Sequence, residues 1–211
     1  MSTKTRLTGS IFLSKLITQY AFIHEKTVGE TAGEYIRQIG LRTGEWIEDF
    51  YGNREDDWSV NKYAEVIVEL KNSIGGEFYV SSITPEYVIV KANRCPFGEM
   101  VKDAPHLCNM TSSVFGGIAS RKFGYGKVDL KKRIAIGDLG CEVVIYFKAN
   151  EFSNGDVYEN LPRTPENVDP FQWKNETIVL LNEELRKSDE LVVKLLDELE
   201  SLKKQVQMGR N

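Results

Sequence analysis

The stretch EFYVSSITPEYVIVKA, residues 77–92, decides the fold. Val, Ile and Tyr dominate 77–83 and 86–92, and Thr84-Pro85 parts the two runs, so the segment is predicted to be a β-hairpin. Immediately upstream the apolar period is helical instead. Ser59 opens a helix whose stripe is Tyr63, Val66, Ile67, Leu70 and Ile74, and Gly75-Gly76 ends it. The change of period at Gly76 separates a helical beginning from a sheet.

Working outward toward the N-terminus, Thr8 or Ser10 caps a helix carrying Ile11, Phe12, Leu16, Ile17, Tyr20 and Ile23. A second helix starts near Glu30, with Tyr35, Ile36, Ile39, Trp46, Ile47 and Phe50, and is loosened by Gly40 and Gly44. Toward the C-terminus, residues 93–104 are irregular. Asp103 is expected to cap a helix that carries Pro105 in its first turn, runs to Lys122 and stops at Gly124. A second hairpin follows, Tyr125 to Ile136 and Cys141 to Lys148, turning at 137–140; Cys141, Val143, Ile145 and Phe147 share one face. This order predicts an α+β fold, N-terminal helices packed on an antiparallel sheet, over residues 8–150. Residues 151–174, rich in Pro, Asn, Asp and Glu, read as a linker, and 175–211 as a coiled-coil helix.

The tail carries a heptad pattern. Ile178, Leu185, Val192, Leu199 and Val206 fall at position a, and Leu181, Ser188, Leu195 and Leu202 at d. Only Ser188 breaks the apolar seam, while Asn182, Lys187, Lys194, Asp197 and Glu200 form a polar back. A parallel homodimer is the expectation, in preference to a helix folded back on its own domain.

Composition excludes several classes. The 211-residue chain has a formal net charge of −4, with no broad basic field, so direct nucleic-acid binding is not expected. No apolar run reaches the roughly 20 residues of a membrane span. Three cysteines, an odd number, point to a reducing compartment, and the cytoplasm is the expected location.

The unusual chemistry lies in CPFGEMVKDAPHLC, residues 95–108, and at Cys141. Cys95 follows a strand, Cys108 sits near a helix start where the dipole favours a thiolate, and Cys141 lies on an apolar strand face. Three soft ligands suit zinc or an iron–sulfur cluster. His106, Glu99 or Asp103 would supply a fourth ligand, or the position stays open to water or an effector. The plainer alternative is three reduced cysteines packed as small hydrophobes. A nucleophilic pair of Cys95 or Cys108 with His106 is the third, although no residue is placed to orient the imidazole. His24 lies in an amphipathic helix and reads as packed or solvated. Gly116-Gly117 reads as close helix–sheet packing and not as a phosphate loop.

Cys95-Pro96-Phe97-Gly98, Ala104 through Ser112, Val114 through Ala119 and Ile134 through Asp138 before Cys141 together resemble the methanogen output domain family, which is similar to small-molecule-binding domains of the four-vinyl-reductase type. The resemblance spans about residues 8 to 150. It implies the fold of haem-based nitric oxide sensors and vesicle-tethering subunits, with dimerisation through the helical end. It also implies a regulatory role. Related phenol-sensing regulators hold a zinc with cysteines and a glutamate; Cys95, Cys108 and Cys141 are the matching thiols, with no glutamate matched. Haem is not expected, since no histidine stands where an axial ligand would be.

The sequence therefore reads as a homodimeric sensor without catalytic activity. It would take a metal or small-molecule effector at the cysteines, relay its state through the paired tails and act on a downstream signalling protein. A cysteine-dependent hydrolase on the same fold and a structural adaptor are the alternatives.

Overall fold

Burial alternates along Tyr87–Arg94, with Val88, Val90 and Ala92 inside, and the strand pairs with Glu77–Ile83 as the hairpin reading requires. The computed structural model describes residues 7–52, 57–149 and 153–164 and, beyond these, 178, 182–183, 185–196, 198–199 and 203. They fall into two units, Met1–Thr164 and Pro165–Asn211.

In the first unit the helices are α1 (Gly9–Val28), α2 (Ala32–Tyr51), α3 (Val60–Ser73) and α4 (Cys108–Phe123). The strands are β1 (Glu77–Ile83), β2 (Tyr87–Arg94), β3 (Tyr125–Lys132), β4 (Cys141–Tyr146) and β5 (Asp156–Glu159). The sheet order is β1-β2-β4-β3-β5, every neighbouring pair antiparallel. Thr8 and Ser59 cap α1 and α3, accepting from the backbone N–H of Ile11 at 3.2 Å and of Lys62 at 3.1 Å. Gly124, at φ +81°, closes α4 in the left-handed conformation that costs a glycine least.

One core joins the helices to the sheet. Tyr63 and Ile67 of α3 and Phe115, Ile118 and Ala119 of α4 bury against Val88, Val90, Val128, Val143 and Ile145. The Tyr63 hydroxyl, deep in this layer, donates to the carbonyl of Phe115 at 2.9 Å. A buried phenol needs such an acceptor.

The structure corrects the sequence reading in four places. First, α1 packs on the segment 98–107 and on α2, not on the sheet. Its buried residues are Thr18 and Ala21, while Ile11, Phe12, Leu16, Ile17, Tyr20 and Ile23 are all exposed. Second, Gly40 and Gly44 do not loosen α2; they are where it presses on α4. A Cβ at residue 40 would stand 2.8 Å from the Ser113 side chain. The apolar stripe of α2 divides accordingly, with Ile36 and Ile47 buried and Ile39, Trp46 and Phe50 exposed. Third, Asp103 does not cap α4. It ends a 3-10 turn, Gly98–Asp103, a second turn spans Pro105–Leu107, and Cys108 is the first α-helical residue. Fourth, the stretch read as linker supplies β5. The Tyr158 ring lies on Gly116 and the Ser112 hydroxyl donates to Asp156 at 2.6 Å, so tertiary contacts hold a strand too short to show a period.

In the second unit every described residue is helical. Ile178, Leu185, Val192, Leu195 and Leu199 of the heptad seam are exposed on the single chain, as are Leu191, Val193 and Leu196, so the apolar surface is wider than the seam. Arg186 and Glu190 form an i,i+4 ion pair at 2.5 Å. Leu181, Leu202 and Val206 lie outside the described residues.

Candidate functional site

Two connections, β2 to α4 and β3 to β4, meet at one end of the sheet. After β2 the chain runs through Cys95-Pro96, and Gly98, at φ +63°, turns it back with its N–H donating to the Cys95 carbonyl at 2.9 Å. The 3-10 turns then lead to Cys108 at the start of α4. Between β3 and β4, Asp138 accepts from the Arg133 N–H at 2.7 Å, and the Ile134 N–H points at the Cys141 sulfur at 3.5 Å. Phe97, Val101, Leu107, Ile134 and Ala135 form a second apolar cluster around these turns, with all three cysteines packed against it.

Cys95, Cys108 and Cys141 line one cavity of about 30 Å³, together with Phe78, Thr111, Leu130, Val143 and Arg133. At about 10–15 Å³ per water position, such a space holds roughly two waters or a body of a few heavy atoms. The sequence reading thus names three thiols that the fold does bring together.

Their electrostatics differ from the reading. Burial raises the pKa of all three thiols, and for Cys108, with the neighbouring cysteines adding to it, up to about 11. Desolvation outweighs the helix dipole expected to favour a Cys108 thiolate. Opposing burial at each thiol is the charge of Lys71 on α3, with that of Arg133 also acting on Cys108. Lys71 is only 4% exposed. Its ammonium donates to Thr111 Oγ1 at 2.8 Å and lies over the Phe115 and Phe78 rings, 5.4 and 5.9 Å from their centroids. Burial lowers the Lys71 pKa, and thiolate charge on the three cysteines would raise it. Sequence reasoning missed this residue. The signal was there, since Lys71 continues the buried row Ala64 and Ile67 at helical spacing.

The expected fourth ligands stand elsewhere. His106 faces α1, its Nδ1 3.6 Å from Glu25, and is not part of the cavity wall. Glu99 is a surface residue paired with Lys102 at 2.6 Å. Asp103 is exposed. His24 packs against Tyr20 and Tyr35. Three thiols are a donor set that soft metals choose. Among the described residues, however, no group of three or more His, Cys, Asp and Glu is spaced to hold an ion, and the buried ammonium opposes a cation.

The site is tied to α1. Ser14 donates to the Pro96 carbonyl at 3.0 Å, so the loop that forms one cavity wall is hydrogen-bonded to the first helix.

The family model described as methanogen output domain 1 matches residues 43–146. These residues are similar to methanogen output domains. The match contains Cys95, Cys108, Cys141 and Lys71, and so the whole candidate site. No curated protein matches the chain. Two solved structures share the fold at low identity, and a third matches more loosely. A trafficking protein particle complex subunit 3 from Naegleria fowleri, covalently bound to palmitic acid, has a TM-score of 0.52 and 15% identity, over 66% of this chain and 95% of that one. The phenol-responsive sensory domain of the transcription activator PoxR, with phenol, has 0.52 and 12%, over 69% and 77%. A structure from a study of haem distortion in the H-NOX family has 0.46 and 11%, over 74% and 80%. The output-domain match suggests a signalling or ligand-binding module. No helix among the described residues is long and apolar enough to cross a membrane.

Proposed function

We propose that the chain is a cytoplasmic, non-catalytic sensor that takes a small effector in the three-cysteine cavity, pairs with a second copy and passes its state to a downstream signalling protein. The observation that carries this reading is the convergence of Cys95 and Cys108, from the two ends of the β2–α4 connection, and Cys141, from the β3–β4 connection, on one apolar cavity whose wall is bonded to α1. Filling or reshaping that cavity moves the Cys95–Phe97 loop, and the loop's bond to Ser14 carries the shift to α1. The PoxR sensory domain, which shares the fold, is itself phenol-responsive.

Pairing is supported by α1, whose Phe12, Leu16, Tyr20 and Ile23 present an exposed apolar row, and by the exposed seam of the tail. Catalysis is disfavoured by chemistry. The thiols are pushed toward their protonated form, and the only nearby imidazole, His106, points to Glu25 and not to a cysteine.

Zinc or an iron–sulfur cluster at the three thiols is the second form of the proposal, favoured by their common cavity; it requires the sulfurs to draw closer. Elemental analysis and a visible spectrum of protein purified without oxygen separate the two forms. Crosslinking of introduced tail cysteines, with and without effector, tests the relay. Identical crosslinking in every state, or a monomer at high concentration, would refute it.

A further inference from the structure

A buried cation must find an anion or lose its charge, since desolvation costs several kcal/mol if it stays alone. The Lys71 ammonium has one hydrogen bond, to Thr111, and no carboxylate partner among the described residues. Arg133 is in the cavity wall, and its buried Nε–H has no hydrogen-bond acceptor among the described residues. Thr111 and Phe78, which hold the Lys71 ammonium, themselves line the cavity, and the described lining includes no Asp or Glu. Two buried cationic donors therefore adjoin a space whose other walls are thiols, hydrocarbon, the Thr111 hydroxyl and the more exposed Lys132, so its charged neighbours are all positive.

We infer that the cavity is a site for a small organic acid anion, a carboxylate on a body of one or two carbons. The carboxylate faces Arg133 Nε and the field of Lys71, and the alkyl group lies against Leu130 and Val143. Protonated thiols add weak S–H donors. Charge-assisted hydrogen bonds in a water-poor space are the strong ones, so the head group and not the alkyl body dominates recognition. The size follows from a cavity that holds roughly two waters. This inference rests on the ligand-sensing form of the proposed function and names its ligand class.

The test titrates acetate, propionate and neutral acetamide into the full chain at constant ionic strength, with chloride as balancing salt, and follows backbone amide NMR signals. Acetate is expected to shift Cys95, Ile134 and Cys141 saturably, and acetamide, the same shape without charge, to bind at least tenfold more weakly. Lys71→Met should weaken acetate at least tenfold. If that variant does not fold, Arg133→Gln, at a partly exposed residue, should weaken it at least threefold. Equal binding of acetate and acetamide overturns the inference but leaves ligand sensing standing. So does stoichiometric metal at the thiols, or the absence of any saturable shift with the carboxylates. The tail crosslinking assay reads the sensor proposal separately, so the two failures are distinguishable.

Discussion

Lys71 on α3 donates from Nζ to Thr111 Oγ1 on α4 at 2.8 Å, joining the two helices above the sheet through a charge that is only 4% exposed. Thr111→Val keeps the shape and removes the acceptor. A buried donor left unsatisfied costs about 1–3 kcal/mol, more when charged. Urea unfolding is expected to show a loss at the upper end of that range. In the Lys71→Met background the same substitution should cost much less, because no ammonium remains to be stranded.

Gly116 and Tyr158 define how β5 joins the sheet. A Cβ at residue 116 would lie 2.0 Å from the Tyr158 ring, and the ring is fixed by its hydroxyl, 2.9 Å from that of Ser112. Overpacking of this kind costs about 1–3 kcal/mol. Gly116→Ala should lower the urea midpoint, and hydrogen exchange should speed at Tyr158 and Asn160 before the rest of the sheet. Tyr158→Ala in the same chain should relieve part of the loss.

Glu48 on α2, 1% exposed, accepts from Arg121 Nε at 2.7 Å and from Arg163 Nη2 at 3.0 Å. Removing one partner of a buried pair costs about 3–5 kcal/mol, because the remaining charge stays desolvated. Glu48→Gln should therefore destabilise by about 3 kcal/mol in denaturant unfolding. A Glu48→Met, Arg121→Met pair should lose less than the sum of its single variants.

The hairpin 77–92, the caps at Thr8 and Ser59 and the stop at Gly124 were legible because local chemistry decides them. So was the gathering of the cysteines, which two hairpins and one helix force on the chain. Lys71 was passed over as a site residue, since a lysine on a helix is ordinarily solvated, although its place in the row of Ala64 and Ile67 marks the buried face. The exposure of α1 was hidden for the opposite reason. Its apolar residues look like a core face, yet no described element covers them. His106 adjoins Cys108 in sequence, but the turn Pro105–Leu107 directs it toward α1.

Titration of Cys108 gives stability a definite slope with pH. Its pKa is raised from 9.0 to about 11 in the folded chain, so the folded state holds the proton that the unfolded state releases. The contribution is complete below pH 9 and is lost as pH rises toward 11, at up to about 1.4 kcal/mol per pH unit for one thiol. Unfolding free energies measured from pH 8.5 to 11 should fall more steeply for the native sequence than for Cys108→Ser, which cannot ionise there. Parallel curves would show that burial does not hold this thiol neutral.

Exposed apolar residues at 12, 16, 20 and 23 of α1 are 51–63% accessible, a row that water does not favour leaving open. If a second copy covers it, one charge in the row is enough to part the dimer, because a carboxylate buried between two helices has no partner there. Phe12→Asp and Leu16→Asp should each halve the sedimentation mass and leave the α+β circular dichroism unchanged. Leu195→Asp, in the tail seam, should weaken pairing less, since Ser188 already interrupts that seam. Should the α1 variants stay dimeric while Leu195→Asp dissociates, pairing belongs to the tail, and the Ser14–Pro96 bond no longer connects the cavity to the interface.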